Sequence, residues 1–511
     1  MLSKTFSGLI DGISGVIITI EADVSKGLPY FNIIGVADTS VKESKDRIRS
    51  AILNSQLPFP EAKITLNLAP ASIRKEGASF DLGSAIAILS SGEFIENLNI
   101  EKYFFIGELL LSGEIKPVPG VMPLTLSALE NKFEYVIVPE ENKYEAGIIT
   151  GIKVIPVKTL YQAVQFLNGR LEIVPFSVNR EEIDDVKYQY DFSEIVGQNL
   201  ARRGLEIASA GGHNILMVGP PGTGKTLMAK TFPSILPDMT FEEAFETTKI
   251  HSIAGLISSG VSLIKQRPFR NPHHTVSTVS LIGGGQNSKP GEVSLAHNGV
   301  LFLDEFPEFK RSALEVLRQP LEDGVVTVSR IKAVYTYPSK LILVAAMNPC
   351  PCGYLNHPEK NCSCSHFSIE KYLSKLSGPL LDRIDIHIEV LPVNKRELLD
   401  NKKNKNAESS KTIKNRVQTA RNIQNERFKN TGIYCNAYMN KQQLKKFCSL
   451  TDEQNELLVE TIEKFKLSAR SYDKILKLSR TIADLEGKDK IDDDHLIEAV
   501  SFRTLDKNKW F

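Results

Sequence analysis

The chain has 511 residues, of which 42% are apolar and 24% charged, enough material for about three buried cores. Its 62 Lys and Arg offset 61 Asp and Glu to a formal charge of +1, so any polyanion site must be a local patch rather than a property of the whole surface. No apolar run of roughly 18 residues occurs, which excludes a helical membrane span; an opening MLSKTFSGLIDGIS without a secretion signal's apolar core predicts a cytoplasmic chain.

Residues 1–170 are expected to form a first, mixed α/β unit. VIITIEAD (16–23) and FNIIGV (31–36) have strand composition, and KITLNLA (63–69) alternates with period two. VKESKDRIRSAIL (41–53) and DLGSAIAILSSG (81–92) have helical spacing, the second stopped by Gly92. Residues 171–191, with the polar NREEIDDVKYQYD (179–191), read as a linker. Residues 192–393 then carry NILMV (214–218), VLFLD (300–304), LILVAA (341–346) and IHIEV (386–390). Such short apolar runs between helical segments predict an α/β module with a parallel sheet buried on both faces. Residues 394–511 open with the low-complexity NKKNKNAESSK and continue as amphipathic helices over 451–465, 469–487 and 492–502, which predicts a helical lid.

The strongest chemical signal is Gly219-Pro220-Pro221-Gly222-Thr223-Gly224-Lys225-Thr226, directly after one predicted strand and opening a helix. In G-x-x-x-x-G-K-[ST] the glycines let backbone N–H groups curl around a phosphate, at a helix N-terminus that favours anions. Lys225 would reach the β- and γ-phosphates of ATP, and the Thr226 hydroxyl would ligate Mg²⁺. Asp304, ending the next long apolar strand, is the second expected Mg²⁺ ligand. Glu305 beside it is placed to polarise the attacking water. Without the phosphate loop, that Asp-Glu pair would read as an ordinary strand end.

GPPGTGKT, VLFLDEF, the asparagine after LILVAAM and GPLLDRID (378–385) together resemble AAA+ ATPases of the Mg-chelatase-like branch. PFRNPHHT (268–275), NPCPCGY (348–354) and LSARSYDKILKLSRTIADLEG (467–487) extend the resemblance to the YifB/ComM family over nearly the whole chain. The resemblance implies that Asn348 is the sensor 1 residue orienting the water; by itself it could be a loop residue capping a helix. It implies that Arg383 is an arginine finger given in trans to a neighbouring subunit, the alternative being a salt bridge with Asp382 or Asp385. Arg470 corresponds to sensor 2, or is a solvated arginine at a helix start. Ile195 and Val196 fall where the adenine pocket begins. A finger in trans implies a self-assembled ring, a homo-hexamer, with DNA as partner, and the implied activity is helicase-like branch migration in natural transformation and recombination. The alternatives are the motor subunit of a magnesium chelatase, which inserts metal into a porphyrin, and an ATP-dependent protease.

Three further features bear on these alternatives. RPFRNPHHTVSTVSLIGGG (267–285) and VVTVSRIKAVYTYPSK (325–340) are excursions that, in this branch, project toward the ring's pore. Arg330 and Lys332 are the expected DNA contacts there, while His273 and His274 either touch DNA or pack between subunits. Between 401 and 449, twelve Lys and Arg face only Glu408 and Glu426, a local excess that can attract polyanions or be a solvated face. Cys350, Cys352, Cys362 and Cys364, spaced C-x-C-x₉-C-x-C, read as a structural Zn²⁺ site in which His357 or His366 could replace one sulfur. Cys435 and Cys448 are expected to be ordinary buried residues. Finally, residues 1–170 resemble the α+β, ribosomal-S5-like proteolytic domain of Lon. Ser79 stands at the position of the nucleophile, but the position of the base lysine holds Met122 and Lys116 is out of register. A thioether takes no proton, so no peptidase activity is expected.

Overall fold

The computed structural model describes residues 2–35, 39–75, 77–178, 188–285, 289–329, 334–392, 408–465 and 468–503. Arg330, Lys332, residues 179–187 of the expected linker and residues 401–407 of the low-complexity segment lie outside them. Chain contacts divide the protein into two compact units. One comprises Met1–Asp185 with Ala244–Ile264, the other Val186–Glu243 with Lys265–Phe511.

The first unit is built on a seven-stranded mixed sheet. β1 (Leu2–Asp11) and β2 (Ser14–Ser25) form an antiparallel hairpin. Its two-residue loop starts at Gly12, whose φ of +63° suits a glycine at a tight hairpin turn. With β3 (Tyr30–Ile34), β4 (Lys63–Ala69), β5 (Tyr103–Phe105), β6 (Tyr135–Pro139) and β7 (Lys153–Val157), the order is β3-β4-β2-β1-β5-β6-β7. Adjacent strand residues point to opposite faces. Phe105 accordingly joins one core with Ile20, Leu66 and Ile86, while Phe104 joins the other with Met122, Leu124 and Val136. Helix α1 (Asp81–Ser91) is buried over nearly its whole surface in the first core, and α2 (Val121–Glu130) in the second.

Residues 244–264 pack onto this second core through Phe245 and Leu263. Buried Glu145 accepts hydrogen bonds from the Ser252 hydroxyl, from the Met122 N–H at 2.9 Å and from Asn142 at 3.2 Å. Burial pushes its carboxyl up, against those hydrogen bonds. Met122 is itself fully buried. A thioether that can take no proton thus fills the core at the position expected for the base lysine.

The second unit centres on a five-stranded parallel sheet. β8 (Ile215–Val218), β9 (Phe269–Arg270), β10 (Val300–Leu303), β11 (Ile342–Met347) and β12 (Ile386–Glu389) stand in the order β9-β10-β11-β8-β12. The chain leaves β8 toward one edge and leaves β11 toward the other. The crevice at the carboxyl ends of β8 and β11 is therefore the topological switch point, where open α/β sheets bind ligands. One core runs from Ile215, Met217 and Val344 to Val417, Leu458 and Ile482 of the helices Ser410–Arg427, Asp452–Phe465 and Ala469–Leu485, so the lid helices share the sheet's interior. Asp484, buried in that core, accepts from Arg427 at 2.5–2.7 Å and from Arg480 at 3.1 Å.

Of the nine described cations in 401–449, four are committed internally, while Lys411, Lys429, Lys441, Lys445 and Lys446 are exposed. Lys414 pairs with Asp238, Arg416 with Glu206 and Glu408, and Arg427 with Asp484; buried Arg421 donates to the carbonyls of Ser209 and Ala210. Cys435 and Cys448 are buried free thiols, as expected.

Candidate nucleotide site and cysteine cluster

The phosphate loop lies between β8 and the helix Lys225–Thr231, on the switch-point crevice. Gly219 is required for space, since a Cβ there would lie 2.1 Å from the Val390 carbonyl oxygen. Gly224 is required for conformation: its φ is +88° with open space around it. The Lys225 ammonium turns back into the loop and donates to the carbonyls of Gly219 at 2.7 Å and Pro220 at 2.8 Å, and to Asn348 Oδ1 at 3.3 Å. Burial pushes this ammonium down to about 8, against the pull of Asp304. Thr223 Oγ1 braces the loop on the Pro220 carbonyl at 3.0 Å.

Thr226 Oγ1 donates to Asp304 Oδ2 at 2.8 Å. These two oxygens, from the helix start and the end of β10, already converge, and hard oxygen donors of this kind suit Mg²⁺. The residues present therefore fit the ion, which Thr226 and Asp304 would hold and which would supply positive charge against a bound phosphate. Glu305 sits at φ +52°, a left-handed conformation uncommon outside glycine. Backbone strain of this kind gathers at functional positions. Its exposed carboxylate meets His274 Nδ1 at 3.1 Å. His274 in turn stacks near His273, with ring centroids 4.1 Å apart.

Asn348 follows β11 at the tip of the sheet. Burial pushes up the phenol of Tyr372, on the helix His366–Leu373, against the opposing influence of the Asn348 backbone amide. Arg383 Nη2 pairs with Glu322, while its other nitrogens reach the carbonyls of Pro379 at 2.6 Å and Arg318 at 3.2 Å. Neither neighbouring aspartate is its partner: Asp385 faces His213 at 3.2 Å and Lys474 at 2.7 Å. Arg470 is exposed in the first turn of the lid helix Ala469–Leu485. Ile195 belongs to the main core and Val196 is half-buried beside it.

In the excursion 267–285, two cations are committed internally. Buried Arg267 makes a two-pronged bridge to Glu243 at 2.9 and 3.1 Å, and Arg270 makes one to Glu292 at 2.6 and 2.8 Å. The hydrophobic and charge patterns gave no sign of the His274–Glu305 contact. It joins two loops that follow adjacent strands, β9 and β10, and the strand order is what brings them together.

Cys350, Cys352, Cys362 and Cys364 bring four sulfurs within 4.8 Å of one another. Cys350 Sγ lies 3.4 Å from Cys352 Sγ and 3.7 Å from Cys362 Sγ, and Cys352 and Cys362 are 3.6 Å apart. Burial pushes the Cys350 thiol up to about 12. Cys352 is brought down to about 6 despite burial, because the N–H groups of Tyr354 and Ser363 and two neighbouring thiols favour its thiolate. His357 is not in the cluster; its Nδ1 accepts from the amides of Glu359 and Lys360.

The family described as "Magnesium chelatase, subunit ChlI" matches residues 191–398, "Subunit ChlI of Mg-chelatase" matches 20–142 and "Magnesium chelatase, subunit ChlI C-terminal" matches 407–503. The chain is 41% identical to competence protein ComM of Haemophilus influenzae, over 99% of this chain and 98% of that protein. It is 41% identical to YifB of Escherichia coli, over 97% of this chain and 96% of that one. A shorter match, 28% identical over 31% of this chain and 25% of its partner, is to the archaeal Lon protease of Methanocaldococcus jannaschii.

Proposed function

The chain belongs to the YifB/ComM family of Mg-chelatase-like AAA+ ATPases, and from that membership we propose that it is a Mg²⁺-dependent, ring-forming motor that moves along or remodels DNA. The observation that carries the reading is the convergence on one crevice of the Lys225 ammonium, the Thr226–Asp304 oxygen pair and Asn348. In this reading Gly219 to Thr226 cradle the triphosphate, and Ile195 and Val196 flank the adenine. Lys225 leaves its two carbonyls for the β- and γ-phosphates, and Asn348 and Glu305 orient and polarise the attacking water. Arg383 releases Glu322 and enters the site of a neighbouring subunit in a hexamer, where a guanidinium offsets charge developing on the transferred phosphoryl. Arg470 reports on the same phosphates from the lid. The cysteine cluster holds a structural Zn²⁺.

DNA contacts are assigned to the pore-facing excursions, to Arg330 and Lys332 and to the His273–His274 pair, with sequence-independent, salt-sensitive affinity. The pairing of His274 with Glu305 supports a direct link between that loop and hydrolysis. The competence name of the Haemophilus influenzae relative favours branch migration of recombination intermediates during DNA uptake. A chelatase motor is the second reading, supported by the descriptions of all three matching families. Against it stands the match to ComM and YifB at nearly full length. The deciding measurement is ATP turnover with single-stranded, duplex and branched DNA, together with the oligomeric state with and without ATP. Stimulation by DNA and nucleotide-dependent assembly are expected; turnover indifferent to every DNA would refute the DNA motor.

A further inference from the structure

We propose that the four cysteines bind one Zn²⁺ and that the loop this closes is a positioning element of the nucleotide site, fixing Asn348 and the Pro221 corner of the phosphate loop. The second half of this inference rests on the nucleotide reading above; the first half does not.

The sulfur spacing decides what kind of link the cluster makes. A disulfide needs sulfurs at about 2.05 Å. A tetrahedral Zn²⁺ with Zn–S bonds of about 2.3 Å needs them about 3.8 Å apart. Three of the pairs, at 3.4–3.7 Å, match the metal and not the covalent bond. Backbone amides also point at the sulfurs: Cys352 N–H donates to Cys364 Sγ at 3.3 Å. The segment 351–365 has neither helix nor strand, and nearly all its residues are exposed or half-exposed. A stretch without a core of its own has little to offset its ordering entropy, and metal ligation supplies that energy in small thiolate sites. Soft thiolate donors at tetrahedral spacing select Zn²⁺ or iron over the hard cation of the phosphate site.

The closed loop touches the nucleotide machinery from three directions. Cys350 follows Asn348 by two residues, so the metal would anchor the chain immediately beyond the tip of β11. Gly353, next to Cys352, presses its backbone on the phosphate loop. A Cβ there would lie 2.7 Å from Pro221 Cδ, and its φ of +84° already asks for glycine. Beyond Cys364, the helix His366–Leu373 brings the Tyr372 phenol to the Asn348 backbone amide. Asn348 is thus bracketed by the two limbs of the cysteine loop, and its Oδ1 is the group that meets Lys225.

The test uses the full-length protein, with zinc content by mass spectrometry and steady-state ATP kinetics. About one zinc per chain is expected, with no iron absorption. Removing zinc with a chelator should lower kcat and raise the ATP KM by about tenfold or more, since small misplacements of reacting groups are that costly, and added Zn²⁺ should restore both. Gly353→Ala should keep its zinc yet raise KM alone, a split that general unfolding does not produce. Lys225→Ala should lose ATP binding with its zinc intact. Iron or no metal in the native protein, or unchanged kinetics after zinc removal, would overturn the proposal. If the wild-type protein fails to bind ATP at all, the nucleotide reading falls while the zinc count still judges the metal site.

Discussion

Lys225 offers a test in which pH is the only perturbation. In the empty site burial holds its ammonium near 8, so about nine-tenths of molecules carry the charge at pH 7 and about one-tenth at pH 9. A bound triphosphate places anionic oxygens beside the amine, which raises its affinity for the proton. The charged form is therefore the binding form: affinity is complete below pH 8 and is lost as pH rises through it. The expected loss is about tenfold in ATP affinity between pH 7 and 9, or close to 1.4 kcal/mol. Displacing the ammonium from the Gly219 and Pro220 carbonyls costs the same at either pH and drops out of the comparison. Titration calorimetry in buffers of different ionisation enthalpy should also register proton uptake on binding near pH 8.5. Lys225→Arg, charged throughout, should bind with a flat profile. A wild-type affinity constant within twofold across the range, or an equal slope in the arginine variant, would refute the reasoning.

Glu305→Gln should keep ATP binding and lose at least about a hundredfold in turnover, as removal of a general base does, measured by single-turnover hydrolysis. His274→Ala frees the Glu305 carboxylate from its 3.1 Å contact; basal turnover should rise and stimulation by DNA shrink, whereas a loss as deep as that of Glu305→Gln would make His274 an orienting group. Arg383→Ala should bind ATP normally and lose about a thousandfold in turnover, and mixing it with Glu305→Gln subunits should restore part of the activity if the finger acts in trans. Asp484→Ala leaves Arg427 and Arg480 buried without their carboxylate and should cost about 3–5 kcal/mol of stability in denaturant unfolding.

The parallel sheet was legible because each of its long strands is a bare apolar run: 300–304 and 386–390 were placed to within a residue. KITLNLA coincides with β4 because its alternation is that of a sheet with an apolar inner face. β1 has no such signature in the sequence, for the opposite reason. Its inward positions include Thr5 and Ser7, which satisfy themselves on the carbonyls of Gly83 and Ser79 instead of presenting apolar side chains. At the site, the phosphate loop, Asp304 and the four cysteines declare themselves through local spacing. His274 on Glu305, Glu322 on Arg383 and Tyr372 on Asn348 do not, since only the folded topology makes them neighbours. The grouping of 244–264 with the N-terminal unit has no local signature either: its partners lie on α2 and beside Glu145, far upstream in the chain.

That last segment changes what it means to divide this protein. The backbone leaves the ATPase unit after Glu243 and re-enters it at Lys265, with the buried Glu243–Arg267 bridge pinching the neck. Severing the polypeptide at 179–191 would not yield two self-sufficient pieces. The downstream fragment would carry Phe245, Ser252 and Leu263 as an orphaned apolar tongue, and the upstream one would keep an empty slot with Glu145 at its base. A relative's first half could replace this one only if it offered a slot that fits the tongue.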